Sequence, residues 1–121
     1  MSTPIQSYKD LLVWQKSIAL CIKIYALTEK FPREEIYGLV SQMRRCSVSI
    51  ASNIAEGRGR GTRKDFIQFL RISLGSLSEL ETQIEISKKL PRTMGLNYTE
   101  IDILLDEVSR MLKVMMQKLA A

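Results

Sequence analysis

The chain has 121 residues, 45% of them hydrophobic and 26% charged, with a formal net charge of +5. That length suits one domain spanning 1–121 with a modest core, and the composition is ordinary for a soluble globular protein. The longest apolar runs fall far short of the ~18 residues a membrane span needs. The opening MSTPIQSYKD is polar and has no signal-peptide layout, so a cytoplasmic protein without membrane contact is expected.

Four helical stretches follow in order, and no stretch reads as a strand. The first is expected from about Tyr8 to Lys30. Leu11, Trp14, Ile18, Ile22 and Tyr25 keep helical spacing, and lysines at 9, 16, 23 and 30 mark a wet face. Leu12, Val13, Ala19, Leu20, Ile24 and Leu27 add apolar surface, more than one buried side needs. Phe31-Pro32 ends the stretch. The second helix is expected from Glu34 or Glu35 to about Glu56. Its core stripe is Ile36, Val40, Met43, Ser47, Ile50 and Ile54, with Gly57 as C-terminal cap. The third opens with Thr62 as N-cap and Asp65 three residues on. Phe66, Phe69, Leu70, Leu74, Leu77, Leu80, Ile84 and Leu90 carry its core. Pro91 and Gly95 mark a break, and Thr99 with Asp102 repeats the cap pattern. Ile101, Leu105, Val108, Leu112, Met115 and Leu119 form the last stripe. Four helices of about 20 residues with short loops predict an all-α, antiparallel up-down four-helix bundle. The wide apolar faces, with Met111 and Met116, point to a homo-oligomer.

Charge is distributed unevenly. Between Arg44 and Arg71 lie seven cations and two carboxylates, a net of +5 that equals the charge of the whole chain. An excess confined to one hairpin predicts a surface for a polyanion. Arg58, Arg60, Arg63 and Lys64 surround the loop Gly57–Gly61, where backbone amides and a helix N-terminus could favour phosphate. A solvated turn is the plain alternative. Arg44 and Arg45 lie about three turns earlier. Bidentate phosphate contact and a salt bridge to Glu56, Glu79 or Glu81, within or between subunits, both remain open for them. If the second and third helices are antiparallel, Arg71 falls beside the span from Ser47 to Ser49. Phe66 and Phe69 read as core and Tyr37 as the nearest freer aromatic. Backbone or shape recognition is therefore expected rather than stacking of single-stranded bases.

Catalysis finds no support. No strand precedes the glycine loop, and it lacks the Gly-Lys-Ser/Thr ending of a P-loop. The chain has no histidine, so a di-iron Glu-x-x-His site is excluded, and two cysteines cannot complete a zinc shell without carboxylates. Cys21 and Cys46 have no imidazole to activate them and are expected as free, buried thiols. No enzyme activity, cofactor or metal is expected.

The segments DLLVWQK, IYALTEKFP, YGLVSQMRRCSVSIASNIAEGRGR and FIQFLRISLGSLSELETQIEIS cover about three quarters of the chain. They resemble the bacterial four-helix-bundle family encoded in intervening sequences of large-subunit ribosomal RNA genes, often labelled as a ribosomal protein. The accessory variability proteins of diversity-generating retroelements are more distantly similar. The resemblance implies a symmetric homopentamer. From the retroelement side it implies binding of RNA and DNA and contact with a reverse transcriptase through a basic surface. The family motif falls on Arg44, Arg45, Asn53, Glu56, Gly57, Arg60, Gly75, Glu79 and Glu81. The expected function is a non-enzymatic scaffold that binds structured RNA or DNA through its phosphate backbone; a role accessory to a reverse transcriptase is what the retroelement resemblance alone would add. The alternative is a protein-interaction module whose basic surface docks an acidic partner while the motif residues hold the oligomer together.

Overall fold

A computed structural model describes residues 6–121. Among them there are four long helices and no strand: α1 (Leu12–Thr28), α2 (Ser41–Gly59), α3 (Arg63–Lys89) and α4 (Thr99–Ala120). Each helix packs on two others in a closed square, α1 on α2, α2 on α3, α3 on α4 and α4 on α1. Cross-helix pairs give the directions. Ser49 meets Ser76 at 2.9 Å and Cys46 meets Glu79 at 3.5 Å, so α3 descends as α2 rises. Lys16 pairs with Glu107 and Lys23 with Glu100, so α1 and α4 are antiparallel as well. The all-α, four-helix expectation stands.

The core phases of the later helices follow their sequence stripes. Val40, Met43, Ser47, Ile50 and Ile54 are buried, as are Leu70, Leu77, Leu80 and Ile84, and Ile101, Leu105, Val108 and Leu112. Serines that interrupt these stripes are satisfied by main-chain carbonyls, which makes their burial tolerable. Ser73 donates to Ile50 O at 2.9 Å across the α2–α3 seam, and Ser47 donates to Arg44 O at 2.9 Å.

The first helix differs from expectation. It is preceded by a separate 3-10 turn, Tyr8–Asp10, and its buried face is Val13, Ser17, Leu20, Ile24 and Leu27. Of the expected stripe only Leu11 is buried, while Ile22 is 63% exposed. Two apolar faces competed, and Ser17 made the true one look weaker; its hydroxyl is hidden by a 2.7 Å bond to Val13 O. The approach to α2 also differs. A 3-10 turn, Arg33–Glu35, and a π-helical turn, Ile36–Val40, precede it, and Gly38 leaves helical geometry at φ −110°, ψ −108°. Ile36 is consequently exposed and not core.

Gly57 is not a cap. The helix runs on to Gly59, and Gly57 is buried against α3. The left-handed position is Gly61, with φ 88°. Thr62 does cap α3, its Oγ1 accepting the Asp65 N–H at 3.2 Å. The Thr99–Asp102 pair does not repeat it. Asn97 Oδ1 accepts the Thr99 N–H at 3.0 Å, and Asp102 instead accepts from Lys88 at 2.9 Å.

Three groups hold protons more tightly in the fold than outside it. Burial raises the Cys46 thiol above its ordinary value of 9.0 and the Tyr98 phenol above 10.0, and the hydrogen bond to Asp102 raises Lys88. A proton bound more tightly when folded stabilises fully below the unfolded value and ceases to do so as pH rises through the folded one. Urea midpoints are therefore expected to be level from pH 7 to 8 and to fall above about pH 9. In Cys46→Ala the fall should begin nearer pH 10, where Tyr98 takes over. An onset that does not move would remove Cys46 from this account.

Candidate nucleic-acid interface

The hairpin charge does not form one patch. Arg58, Arg60, Arg63 and Lys64 sit at the end of the bundle where α2 stops and α3 starts. Arg44 and Arg45 lie in the first turns of α2, toward the other end. The Ser49–Ser76 pairing places Arg71 beside Ile54, between the two groups and not beside Ser47–Ser49. Tyr37 is 97% exposed but belongs to the end away from the loop.

At the loop end, Arg60 is held by Glu56 at 2.9 Å, and its guanidinium lies 5.0 Å from the Phe69 ring centroid. Arg63 donates to Ala121 O at a long 3.4 Å. Among the described residues, Arg60 is the only one of the seven hairpin cations in an ion pair with a carboxylate. Lys64 is exposed, and Arg58 is half-buried. The α4 terminus brings Lys118 to the same end, beside Arg58 and Arg63. Sequence reasoning missed Lys118, because its only signal was a position in the last turn of the helix that returns to this end.

Arg44 has a structural task. Its Nε donates to Thr28 Oγ1 at 2.9 Å and Nη2 to Tyr25 O at 3.4 Å, while the guanidinium stacks 4.6 Å from the Tyr25 ring centroid. A cation there meets the negative end of the α1 dipole. Arg44→Ala is expected to cost about 1–2 kcal/mol in a denaturant titration, and Arg44→Lys to recover less than half, because an ammonium lacks the planar fork. Equal stability of wild type and Arg44→Ala would refute that role. Arg45 is exposed, and neither arginine pairs with Glu56, Glu79 or Glu81 within the chain's described residues.

Of the remaining motif residues, Asn53, Gly57 and Glu79 lie at the α2–α3 seam, whereas Gly75 and Glu81 do not. Asn53 donates to Ser49 O at 2.9 Å and to Ser49 Oγ at 3.0 Å, extending the Ser49–Ser76 link. Glu79 accepts from the Cys46 thiol, which also lies 3.6 Å from Gln83 Nε2. Both cysteines are free, Cys46 buried and Cys21 half-buried. Glu81 faces away from the loop, in an acidic depression with Glu85, Asp102 and Asp106. Gly75 lies mid-helix, exposed, with open space where a Cβ would be. No cluster of three His, Cys, Asp or Glu able to hold a metal occurs among the described residues, and none of their helices is long and apolar enough to cross a membrane.

The arrangement is that of an all-α antiparallel bundle with four of the seven hairpin cations at one end. The chain belongs to the 23S rRNA-intervening sequence protein family, whose model matches residues 9–114. A crystal structure of a protein of unknown function from the S23 ribosomal protein family of Bacteroides thetaiotaomicron is similar in fold, with a TM-score of 0.75 and 27% identity. The match covers 88% of this chain and 96% of that one. No curated protein matches.

Proposed function

We propose that this protein is a non-enzymatic scaffold that binds the phosphate backbone of structured RNA or DNA through Arg58, Arg60, Arg63 and Lys64. One observation carries this: three of these four cations, grouped at one end of the bundle, have no Asp or Glu partner among the described residues, although the chain has 13 acidic residues to offer, and Arg63 has only a 3.4 Å contact to Ala121 O. Five cations elsewhere on the bundle have such partners, Lys16, Lys23, Lys88, Arg92 and Arg110, while others such as Lys30, Lys89 and Lys113 have none among the described residues; what distinguishes Arg58, Arg63 and Lys64 is that they lie together where α2 stops and α3 starts. Cations left unneutralised at the end of a molecule attract a polyanion and release its counterions. The α3 N-terminus adds amide donors at the same place. Titration of labelled RNA and DNA hairpins at about 50 and 200 mM salt tests the reading, with affinity expected to fall at least tenfold over that interval. No binding at the lower salt overturns it. Capture of an acidic protein that survives nuclease treatment would favour the docking alternative instead, and a reverse transcriptase is the partner the family likeness suggests. Such ligands are met in the cytoplasm.

We further propose that the scaffold is a homo-oligomer, a pentamer on the family likeness. Leu12 is 56% exposed, Ile103 54% and Val114 47%, and they line a groove of about 840 Å³ between α1 and α4. The open glycine at Gly75 costs helix stability without a use inside one chain, and a neighbouring backbone close to it would supply one. Five basic ends on one particle would raise the local field for a polyanion. Native mass measurement is expected at about 69 kDa, five times the 13.8 kDa chain. A single-chain mass refutes assembly.

A further inference from the structure

Between the end of α2, the start of α3 and the end of α4 lies a depression of about 380 Å³. Its rim carries Arg58, Arg63 and Lys118, one cation from each of the three helices, and no acidic side chain lines it. Its floor is apolar, with Phe66, Met115 and Leu119 among its lining residues. Phe66, a core residue on sequence alone, is only half-buried, as are Met115 and Leu119.

Two features of this site need a common explanation. Three like charges line one depression that has no acidic side chain, and the Arg63 contact to Ala121 O is long at 3.4 Å. Like charges gathered in this way are stabilised when an anion joins them. The floor asks for something else, since apolar atoms left facing water are better covered by a flat hydrophobic body. Inorganic phosphate satisfies the rim and leaves the floor wet. A nucleotide satisfies both, because every base has an apolar π-face and its phosphate is one short linkage away. The volume is that of a small-ligand site and too small for a duplex to enter.

We propose that this depression holds one unpaired nucleotide, its base on Phe66, Met115 and Leu119 and its phosphate among Arg58, Arg63 and Lys118. This rests on the nucleic-acid reading above and refines it. The cationic end takes the backbone of a structured strand, and the depression selects strands that offer a free end or a bulged base. Selection by stacking would be tolerant of base identity.

The test compares a blunt RNA hairpin with the same hairpin carrying two unpaired 3′ nucleotides, and their DNA counterparts, at about 50 mM salt. The overhang is expected to bind roughly tenfold tighter to the wild-type protein. In Leu119→Gln and in Met115→Gln that ratio should fall below about twofold. The ratio is taken within each variant, so a general loss of folded protein affects both ligands alike and leaves it unmoved. Equal binding of the blunt and overhanging hairpins overturns the pocket while leaving the backbone reading intact. A tenfold ratio that persists in both variants also overturns it, and no binding of any hairpin overturns both readings.

Discussion

Arg58, Arg60, Arg63 and Lys64 replaced together by alanine should lower affinity for a structured RNA about 100-fold or more near 100 mM salt. The same variant should show a log–log salt dependence shallower by about 3 to 4, since each phosphate contact contributes about 0.9 to the slope. The two readouts belong together. Lost affinity with an unchanged slope would mean damage elsewhere, while a slope change identifies the missing charges as the ones that displaced counterions. Arg60 needs a control, because it also pairs with Glu56 and stacks on Phe69. Lysine at 58, 60 and 63 keeps the charge and should retain most of the slope. Unaltered binding by the alanine variant would leave the hairpin without its proposed role.

Gly57→Val is expected to cost about 3 kcal/mol, lowering the melting temperature by roughly 10 °C. A Cβ built at Gly57 would lie 2.6 Å from Phe69 Cβ and 3.2 Å from Phe66 Cδ1. The closer clash is with the stem of a side chain, which moves only with its helix. Phe69→Ala therefore should not rescue it, because alanine keeps that Cβ. Gly59→Ala is the matching control. It lies two residues on in the same helix, with nothing within 4 Å of its Cβ position. There the substitution should stabilise by about 0.5–1 kcal/mol, through the backbone entropy that glycine otherwise loses. Thermal melts of both variants decide the matter, and equal behaviour at the two positions would sink the close-approach account. The position has a functional consequence too. Gly57 lets α3 lie tight against the last turns of α2, which fixes where Arg58 and Arg63 emerge.

Local chemistry made much of this molecule readable from its sequence. Thr62 caps α3 because the bond it needs is three residues away. The stripes of α3 and α4 gave the phase of the core, since each has one dominant apolar face, but Phe66, Phe69, Leu74, Leu90, Met115 and Leu119 are only half-buried. Both cysteines are free, as expected, but only Cys46 is buried; Cys21 is half-buried. The concentration of cations between residues 44 and 71 needed only counting.

Tertiary structure decided what sequence left degenerate. The first helix offers two apolar faces, and the packing of α2 and α4 against it chose the one that Ser17 had disguised. A glycine after a helical stretch signals a cap or a close approach with the same letter; only the nearness of Phe69 tells which Gly57 is, and the left-handed turn falls to Gly61. Neighbouring arginines at 44 and 45 differ by 100° of helix rotation. That rotation binds Arg44 to the carbonyl end of α1 and leaves Arg45 exposed. Lys118 joins Arg58 and Arg63 across some 60 residues of chain because α4 returns to the end where α2 stops. Sequence alone thus determined which residues could form helices and where positive charge accumulates, both local properties. Which faces are buried, and which charges meet, depend on contacts between helices distant in the chain, and those exist only once the bundle has closed.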